Sequence, residues 1–372
     1  MHETEHDPIR VAVLGAGGLG KAAAKIIGMK RELTLCAMCD SKGLVASPKG
    51  LETRILATIS GDLVNGYRQA VGPGDDGGGG LQVARAVEAR SSTSLGTVLS
   101  EPRLMAEPVE ARHCDDPLGA ILELSDQLDG ILIALPNLPN EFIPGVIERF
   151  ARAKTGLVFV DVLKRTRAVE QMFALDALVK RSQSVILTGC GATPGLLAAA
   201  AVLAAQSFIE VEKVDIWWGV GIANWNAYKA TIREDIAHLP GYSVERANAM
   251  SDAEVDALLE QTNGLLELRH MEHADDVLLK RVGVVDDLAQ VEVGGVMDTR
   301  HPKKPVSTTM TLTGVTFDGK RSSHKFILGD ETTMAANVIG PALGYLKRGI
   351  WLKAQGLFGV FGCTEFLPMV VR

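Results

Sequence analysis

A chain of 372 residues, 47% of them hydrophobic, with a formal net charge of −7, is long enough to bury the cores of two domains. The acidic balance argues against nucleic acid or an anionic membrane as partner, because both demand a basic surface. Five scattered cysteines argue against a disulfide framework and for a reducing compartment, the cytoplasm. The first ten residues, MHETEHDPIR, have neither the positive cluster nor the apolar run of a signal peptide. The longest alanine- and leucine-rich run, 195–205, falls short of the roughly 20 apolar residues that span a bilayer and is expected to be a buried helix.

The first expected element is an apolar strand that runs straight into G-x-G-x-x-G, with glycines at 15, 17 and 20 and a helix behind it over 21–29. Gly15 permits the tight turn, Gly17 lets backbone approach a pyrophosphate, and Gly20 lets helix pack on strand. Gly15, Gly17, Gly18, Leu19 and Gly20 are therefore expected to hold a dinucleotide. Asp40 closes the next apolar run, at the spacing that grips ribose hydroxyls, and Ser41 and Lys42 beside it stand where a 2′-phosphate would fall. Both NAD(H) and NADP(H) are thus expected cofactors. Cys36 and Cys39 form a C-x-x-C inside this second strand; their odd spacing sends them to opposite faces, so they are expected to be packing residues.

From about 45 to 113 the sequence has no usable periodicity, isolated prolines and VGPGDDGGGG at 71–80, and it is expected to be a flexible insertion. Asp116-Pro117 reads as a helix cap. Strands over 130–134, 157–160 and 185–187 then alternate with helices from 140 and 166, the signature of a doubly wound parallel sheet. Beyond 194 long apolar strands, a hairpin turning at Asp318-Gly319 and a capping box at Ser251 to Glu254 predict a second α/β domain built on a mostly antiparallel sheet. The expected division is a nucleotide-binding Rossmann domain over 1–190, a substrate and dimerisation domain over 191–330, and a C-terminal helix over 331–372 that returns to the first domain.

In such sheets the ligand lies beyond the carboxyl ends of the strands, where three loops leave. Leu135, Pro136 and Asn137 are suited to the nicotinamide ribose. Loop 189–195 supplies Cys190 and Thr193 toward the substrate at a helix start. Loop 161–165 carries Lys164, whose neighbours Arg165 and Arg167 and position at a helix start disfavour an ammonium and favour an amine nucleophile, while Asp161 pulls the other way. In the second domain, if the chain is helical to 238, residues 231, 234, 235 and 238 share a face. Asp235 and His238 are expected to move protons there; Arg233 is expected to grip a substrate carboxylate, and Tyr242 to line the same site. His270, Glu272 and His273 have ligand-type side chains, but an H-x-x-H on a charged helix with no third ligand reads as a solvated face, so no metal is expected.

GAGGLG with Asp40, TGCGATPGL and GDETTMAANVIGPALGYL resemble the saccharopine dehydrogenase-like oxidoreductases, which pair a Rossmann domain with an α/β substrate and dimerisation domain. ALPNLPNEFIP, VDVLKRT and TIREDIAHLPGY are more narrowly similar to the biotin-pathway suicide enzymes of the (S)-8-amino-7-oxononanoate synthase (BioU) family; the similarity lapses over about 45–113. That resemblance implies that Lys164 condenses with the ketone of 8-amino-7-oxononanoate, that NAD(P)H reduces the imine, and that carbon dioxide or bicarbonate adds to the 8-amino group. Reoxidation then releases carboxylated 7,8-diaminononanoate with the lysine nitrogen. Two alternatives stay open: a multiple-turnover saccharopine-type dehydrogenase in which Lys164 only orients substrate, and a non-enzymatic NAD(P) sensor.

Overall fold

The first strand, β1 (Ile9–Leu14), is buried over its last four residues and opens through a glycine turn into α1 (Gly18–Ile27). Gly15 at the turn has φ of +112°, and a Cβ on Gly20 would lie 1.8 Å from the Gly15 carbonyl oxygen. The close approach of strand and helix therefore depends on hydrogen at both positions. A Gly20→Ala variant is expected to lose about 3 kcal/mol of stability, measured by thermal unfolding, because the blocking atom is backbone and cannot swing aside. Gly18→Ala, where a Cβ would meet nothing within 4 Å, is expected to change stability by about 0.5 kcal/mol or less.

The computed structural model describes residues 7–71, 109–136, 138–222, 225, 229–329 and 333–372, which fall into two units, 1–128 and 129–372. In the first unit β1 pairs in parallel with β2 (Leu33–Cys39), and β2 pairs antiparallel with β3 (Gly43–Ala46). Then follow α2 (Thr53–Thr58), α3 (Leu63–Val71), β4 (Glu110–His113), antiparallel to β3, and α4 (Pro117–Glu123). Asp116 caps α4 by accepting from the Gly119 amide, with Pro117 in the first turn.

The expectation of an irregular insertion beginning near 45 is thus corrected over 45–71 and 109–113. These elements are only four to nine residues long, too short to display a period, yet Leu44, Val45, Leu56, Leu63, Val64 and Tyr67 are each buried. Residues 72–108, with most of the glycine run, lie outside the described residues.

The second unit opens with β5 (Gly130–Ile133), α5 (Phe142–Arg152), β6 (Val158–Asp161), α6 (Thr166–Ala174), α7 (Asp176–Arg181) and β7 (Val185–Thr188). β5, β6 and β7 pair in parallel, and every residue in them is buried, as expected of strands covered on both faces. After β7 come α8 (Leu196–Ala205), β8 (Phe208–Gly221), α9 (Lys229–Ile236), α10 (Val244–Ala249), α11 (Asp252–Gln261), β9 (Leu265–Leu268) and α12 (Asp275–Arg281). The chain finishes with β10 (Val291–Asp298), β11 (Thr308–Thr316), β12 (Arg321–Leu328), α13 (Met334–Ala354) and β13 (Gly359–Gly362).

α13 lies against β5, β6 and β7, and β13 adds a further parallel strand beside β7, so the C-terminal segment completes the parallel sheet of this unit. The ring of Phe159 meets Phe150 of α5 edge-on at 5.3 Å, whereas a Cβ on Gly349 of α13 would meet Val158. Adjacent residues of a strand face opposite ways, so α5 and α13 cover opposite faces. The second sheet has the order β12-β11-β8-β10-β9, antiparallel at every junction but β8–β10. Its hairpin turns at Gly319, φ +76°, and Ser251 and Glu254 form the reciprocal capping box on α11. The fold is therefore mixed α/β, a parallel-rich Rossmann-type sheet with a second, mostly antiparallel one. No helix among the described residues is long and apolar enough to cross a membrane.

Candidate active site

In the first unit the start of α1 is open. Gly17 caps the helix without any side-chain hydrogen bond, and a Cβ on Gly17 or Gly18 would meet nothing within 4 Å. Among the described residues no side chain caps the first-turn amides, which fits a phosphate there. Asp40 is held by three backbone amides: its Oδ1 accepts from Lys42 at 2.8 Å and Gly43 at 3.0 Å, and its Oδ2 from Leu63 at 3.2 Å. The carboxylate is aimed by the turn after β2 and keeps acceptor capacity for ribose hydroxyls. Ser41 and Lys42 are exposed beside it, and Leu19 is half-buried.

In the second unit the ends of β6 and β7 are tied by Asp161. This fully buried carboxylate accepts through Oδ1 from the Leu163 amide at 3.0 Å, the Thr188 hydroxyl at 3.0 Å and the Gly189 amide at 2.9 Å. Its Oδ2 is buried with no partner among the described residues, and burial pushes the group up to about 6 against those three hydrogen bonds. Asp161 is thus a clamp between two loops rather than the partner of Lys164.

Lys164 faces α9 instead. Its ammonium lies 3.5 Å from Glu234 Oε2 and 4.0 Å from Asp235 Oδ1, with the side chain 26% exposed. Arg165 turns to the same helix, donating to Glu234 Oε1 at 3.0 Å and to the Leu138 carbonyl at 3.0 Å, which draws in the loop after β5. The expected electropositive setting of Lys164 is therefore corrected. Two cations meet two carboxylates, because α9 brings its acidic pair onto the loop, while Arg167 points to solvent.

α9 is placed by its apolar side. Ile232 and Ile236, one turn apart, sink into a cluster with Trp225, Ala247, Val255, Leu259, Leu266 and Met297, which leaves Glu234 and Asp235 toward the lysine. Asp235 is buried and its carboxyl is pushed up to about 7; burial and the charge of Glu234 raise it, and the ammonium of Lys164 opposes them. The helix ends at Ile236, so His238 lies in the following turn rather than on the helix, its amide donating to the Asp235 carbonyl at 3.0 Å. Burial and the Lys164 charge hold its imidazole below the usual histidine range, while Glu234 and Glu272 push it up.

Other expected site residues fall elsewhere. The Arg233 guanidinium donates to the carbonyls of Ala247 at 3.0 Å and Met250 at 2.5 Å and to Asp252 at 2.8 Å, binding α9 to α10 and α11. With its donors so engaged it is a fastener rather than a carboxylate anchor. Tyr242 packs against the α9 cluster under the Arg246 guanidinium, 4.4 Å from its ring centre. Cys190 is fully buried, its thiol pushed well above the usual range by burial, so it is a packing residue and not a substrate contact. Cys36 and Cys39 are likewise buried, the Cys36 thiol donating to the Pro48 carbonyl at 3.6 Å. Leu135 and Pro136 line a cleft with Leu138, Leu163, Lys164 and Arg165, and Asn137 lies outside the described residues.

The histidine pair is not on a helix, since α12 starts at Asp275. His270 is exposed, whereas His273 is buried with its Nδ1 2.6 Å from Asp275 Oδ2. No metal-holding group of side chains occurs among the described residues. The same Asp275 oxygen accepts from the Thr193 hydroxyl at 2.7 Å. Glu234 was expected on the helix face with Asp235, and Arg165 in the lysine loop, but neither was given a role; His273 and Asp275 were not expected at the site. Only the juxtaposition of acidic residues with VDVLKRT, distant in sequence, would have found them.

No family model matches the chain. It is 42% identical, over 363 residues covering 97% of this chain and 99% of the relative, to (S)-8-amino-7-oxononanoate synthase BioU of Haloferax mediterranei. Solved structures of the same fold include an engineered D-amino acid dehydrogenase bound to NADP+, with a TM-score of 0.50, 14% identity and coverage of 96% of this chain and 94% of the other. DAP dehydrogenase of C. glutamicum in complex with DAP gives a TM-score of 0.50 at 15% identity, covering 97% and 94%. On the strength of this identity over nearly the whole of both chains, the chain belongs to the BioU family of (S)-8-amino-7-oxononanoate synthases.

Proposed function

We propose that this chain is a cytoplasmic enzyme of biotin biosynthesis that acts once, Lys164 being both the nucleophile and the nitrogen donor. The observation that carries the reading is the Lys164 ammonium set between Glu234 at 3.5 Å and the buried Asp235 at 4.0 Å. A lysine must shed a proton before it attacks a ketone, and a carboxyl that titrates near 7 is matched to take it. The same group, now protonated, returns its proton to the carbinolamine hydroxyl, which leaves as water to give the imine. His238, in the turn that follows α9 and with its imidazole held below the usual histidine range by burial and the Lys164 charge, is our candidate for passing protons outward.

The open start of α1 and the fixed carboxylate of Asp40 suit the diphosphate and ribose of NAD(P)H, which supplies a hydride to the imine and takes one back. Over both transfers the ketone carbon is reduced and the lysine Cε is oxidised. The first forms a secondary amine between Lys164 and substrate. After carbon dioxide or bicarbonate has carboxylated the 8-amino group, the second forms an imine at Cε. Its hydrolysis leaves an aldehyde on the protein and the nitrogen on the product.

Protein incubated with 8-amino-7-oxononanoate, NAD(P)H and bicarbonate is expected to gain the mass of a conjugate at Lys164, then to show an aldehyde there by peptide mapping. Product is expected to stop at one equivalent per chain. Repeated turnover with an intact lysine would instead establish the saccharopine-type dehydrogenase. For the cofactor, Asp40→Asn keeps the Oδ1 acceptor for the turn but removes the charge. It is expected to weaken NAD about tenfold and to improve NADP relative to NAD; an unchanged ratio of dissociation constants would remove Asp40 from cofactor choice.

A further inference from the structure

Asp275, the first residue of α12, is fully buried; its Oδ2 accepts the Thr193 hydroxyl proton at 2.7 Å and lies 2.6 Å from His273 Nδ1, and its Oδ1 has no partner among the described residues. Between His273 and Asp275, the Ala274 amide donates to the carbonyl of Lys164 itself at 2.7 Å, and Asp276 Oδ1 accepts from Thr166 at 3.1 Å. One turn of chain therefore grips the lysine loop on one side and the 189–195 loop on the other.

A carboxylate only accepts. The single proton of the Thr193 hydroxyl is spent inward on Asp275, so what this half-buried side chain offers a ligand is lone pairs. The same carboxylate oxygen lies 2.6 Å from His273 Nδ1, so that ring nitrogen too is turned inward, away from any ligand beside Thr193. A ketone or carboxylate oxygen placed against Thr193 would meet lone pairs only, whereas an amine would find an acceptor.

We propose that Thr193, its polarity set by Asp275, recognises the primary amine next to the substrate's ketone and so selects amino-ketones over plain ketones. This rests on the reading of Lys164 above for its substrate, but not on the covalent chemistry.

The test is calorimetric binding to NAD(P)+-loaded protein carrying Lys164→Arg, which forms no bond to the ligand, with 8-amino-7-oxononanoate and its des-amino analogue 7-oxononanoate as probes. Thr193→Val is expected to weaken the amino-ketone about tenfold and leave the plain ketone unchanged, with Thr193→Ser restoring the preference. Asp275→Asn, whose amide can donate to Thr193 and turn its proton outward, is expected to narrow or reverse the preference. Equal weakening of both ligands in Thr193→Val, or no weakening of either, overturns the proposal. Conjugate formation by the unmodified protein is scored separately. Its absence with the binding preference intact would end the suicide reading and leave amine recognition standing.

Discussion

Lys164→Arg is expected to abolish conjugate and product formation while leaving NAD(P) affinity unchanged. Arginine keeps a positive charge opposite Glu234 and Asp235, so the electrostatic balance of the site survives. A guanidinium stays protonated in a protein, however, and has no lone pair to attack a ketone. The loss should be complete rather than partial, because no other lysine is held in this loop to replace the nitrogen. Intact mass after incubation decides it: an unshifted mass in the variant beside a shifted one in the parent protein is the expected pair. A variant that still made product would show that the lysine is not consumed and would return the chain to ordinary dehydrogenase chemistry.

Asp235→Asn is expected to act in two measurable ways. Conjugate formation should slow by about a hundredfold, the usual contribution of a placed acid or base, and its rise with pH near 7 should flatten, since the group that deprotonates Lys164 is gone. Stability should move in the opposite direction. Burial raises the folded-state value of Asp235 from 3.8 to about 7, so between these pH values the folded chain holds a proton that the unfolded chain has released. The contribution is favourable below 3.8 and is lost as pH rises through 7. Asparagine cannot ionise and escapes that loss, which is on the order of 4 kcal/mol across the window. At pH 8 the variant is therefore expected to melt higher than the parent protein, and near pH 4 no higher. Asp161, raised to about 6 by burial, steepens the parent's decline in the same direction. A variant less stable than the parent at pH 8 would show that the pairing of Asp235 with Lys164 outweighs the cost of its burial.

The sequence by itself determined the features whose physics is local. The glycine turn is legible because only glycine tolerates φ of +112° at residue 15 and the approach of a backbone oxygen at residue 20. The strands of the parallel sheet, the Asp116 cap, the Ser251 capping box and the turn at Gly319 are legible for the same reason, since each is written in a few adjacent residues. Lys164 could be singled out because a strand end followed by a helix start places it at a loop tip.

What the lysine faces was decided by the tertiary structure. Its partners lie some seventy residues along the chain, on a helix whose orientation is set by Ile232 and Ile236 entering a core shared with α10, α11, β9 and β10. Nothing adjacent to VDVLKRT distinguishes an electropositive loop from one that meets two carboxylates. In TIREDIAH, the arginine that looked free for a substrate is consumed by carbonyls at the end of a neighbouring helix. His273 gave the reverse error: surrounded by charge in sequence, it is buried in space, because only the fold brings Asp275 and Thr193 together. Charge sums in sequence count near neighbours, whereas the potential at a side chain is set by what packs against it, where low dielectric makes one buried carboxylate outweigh several solvated ones.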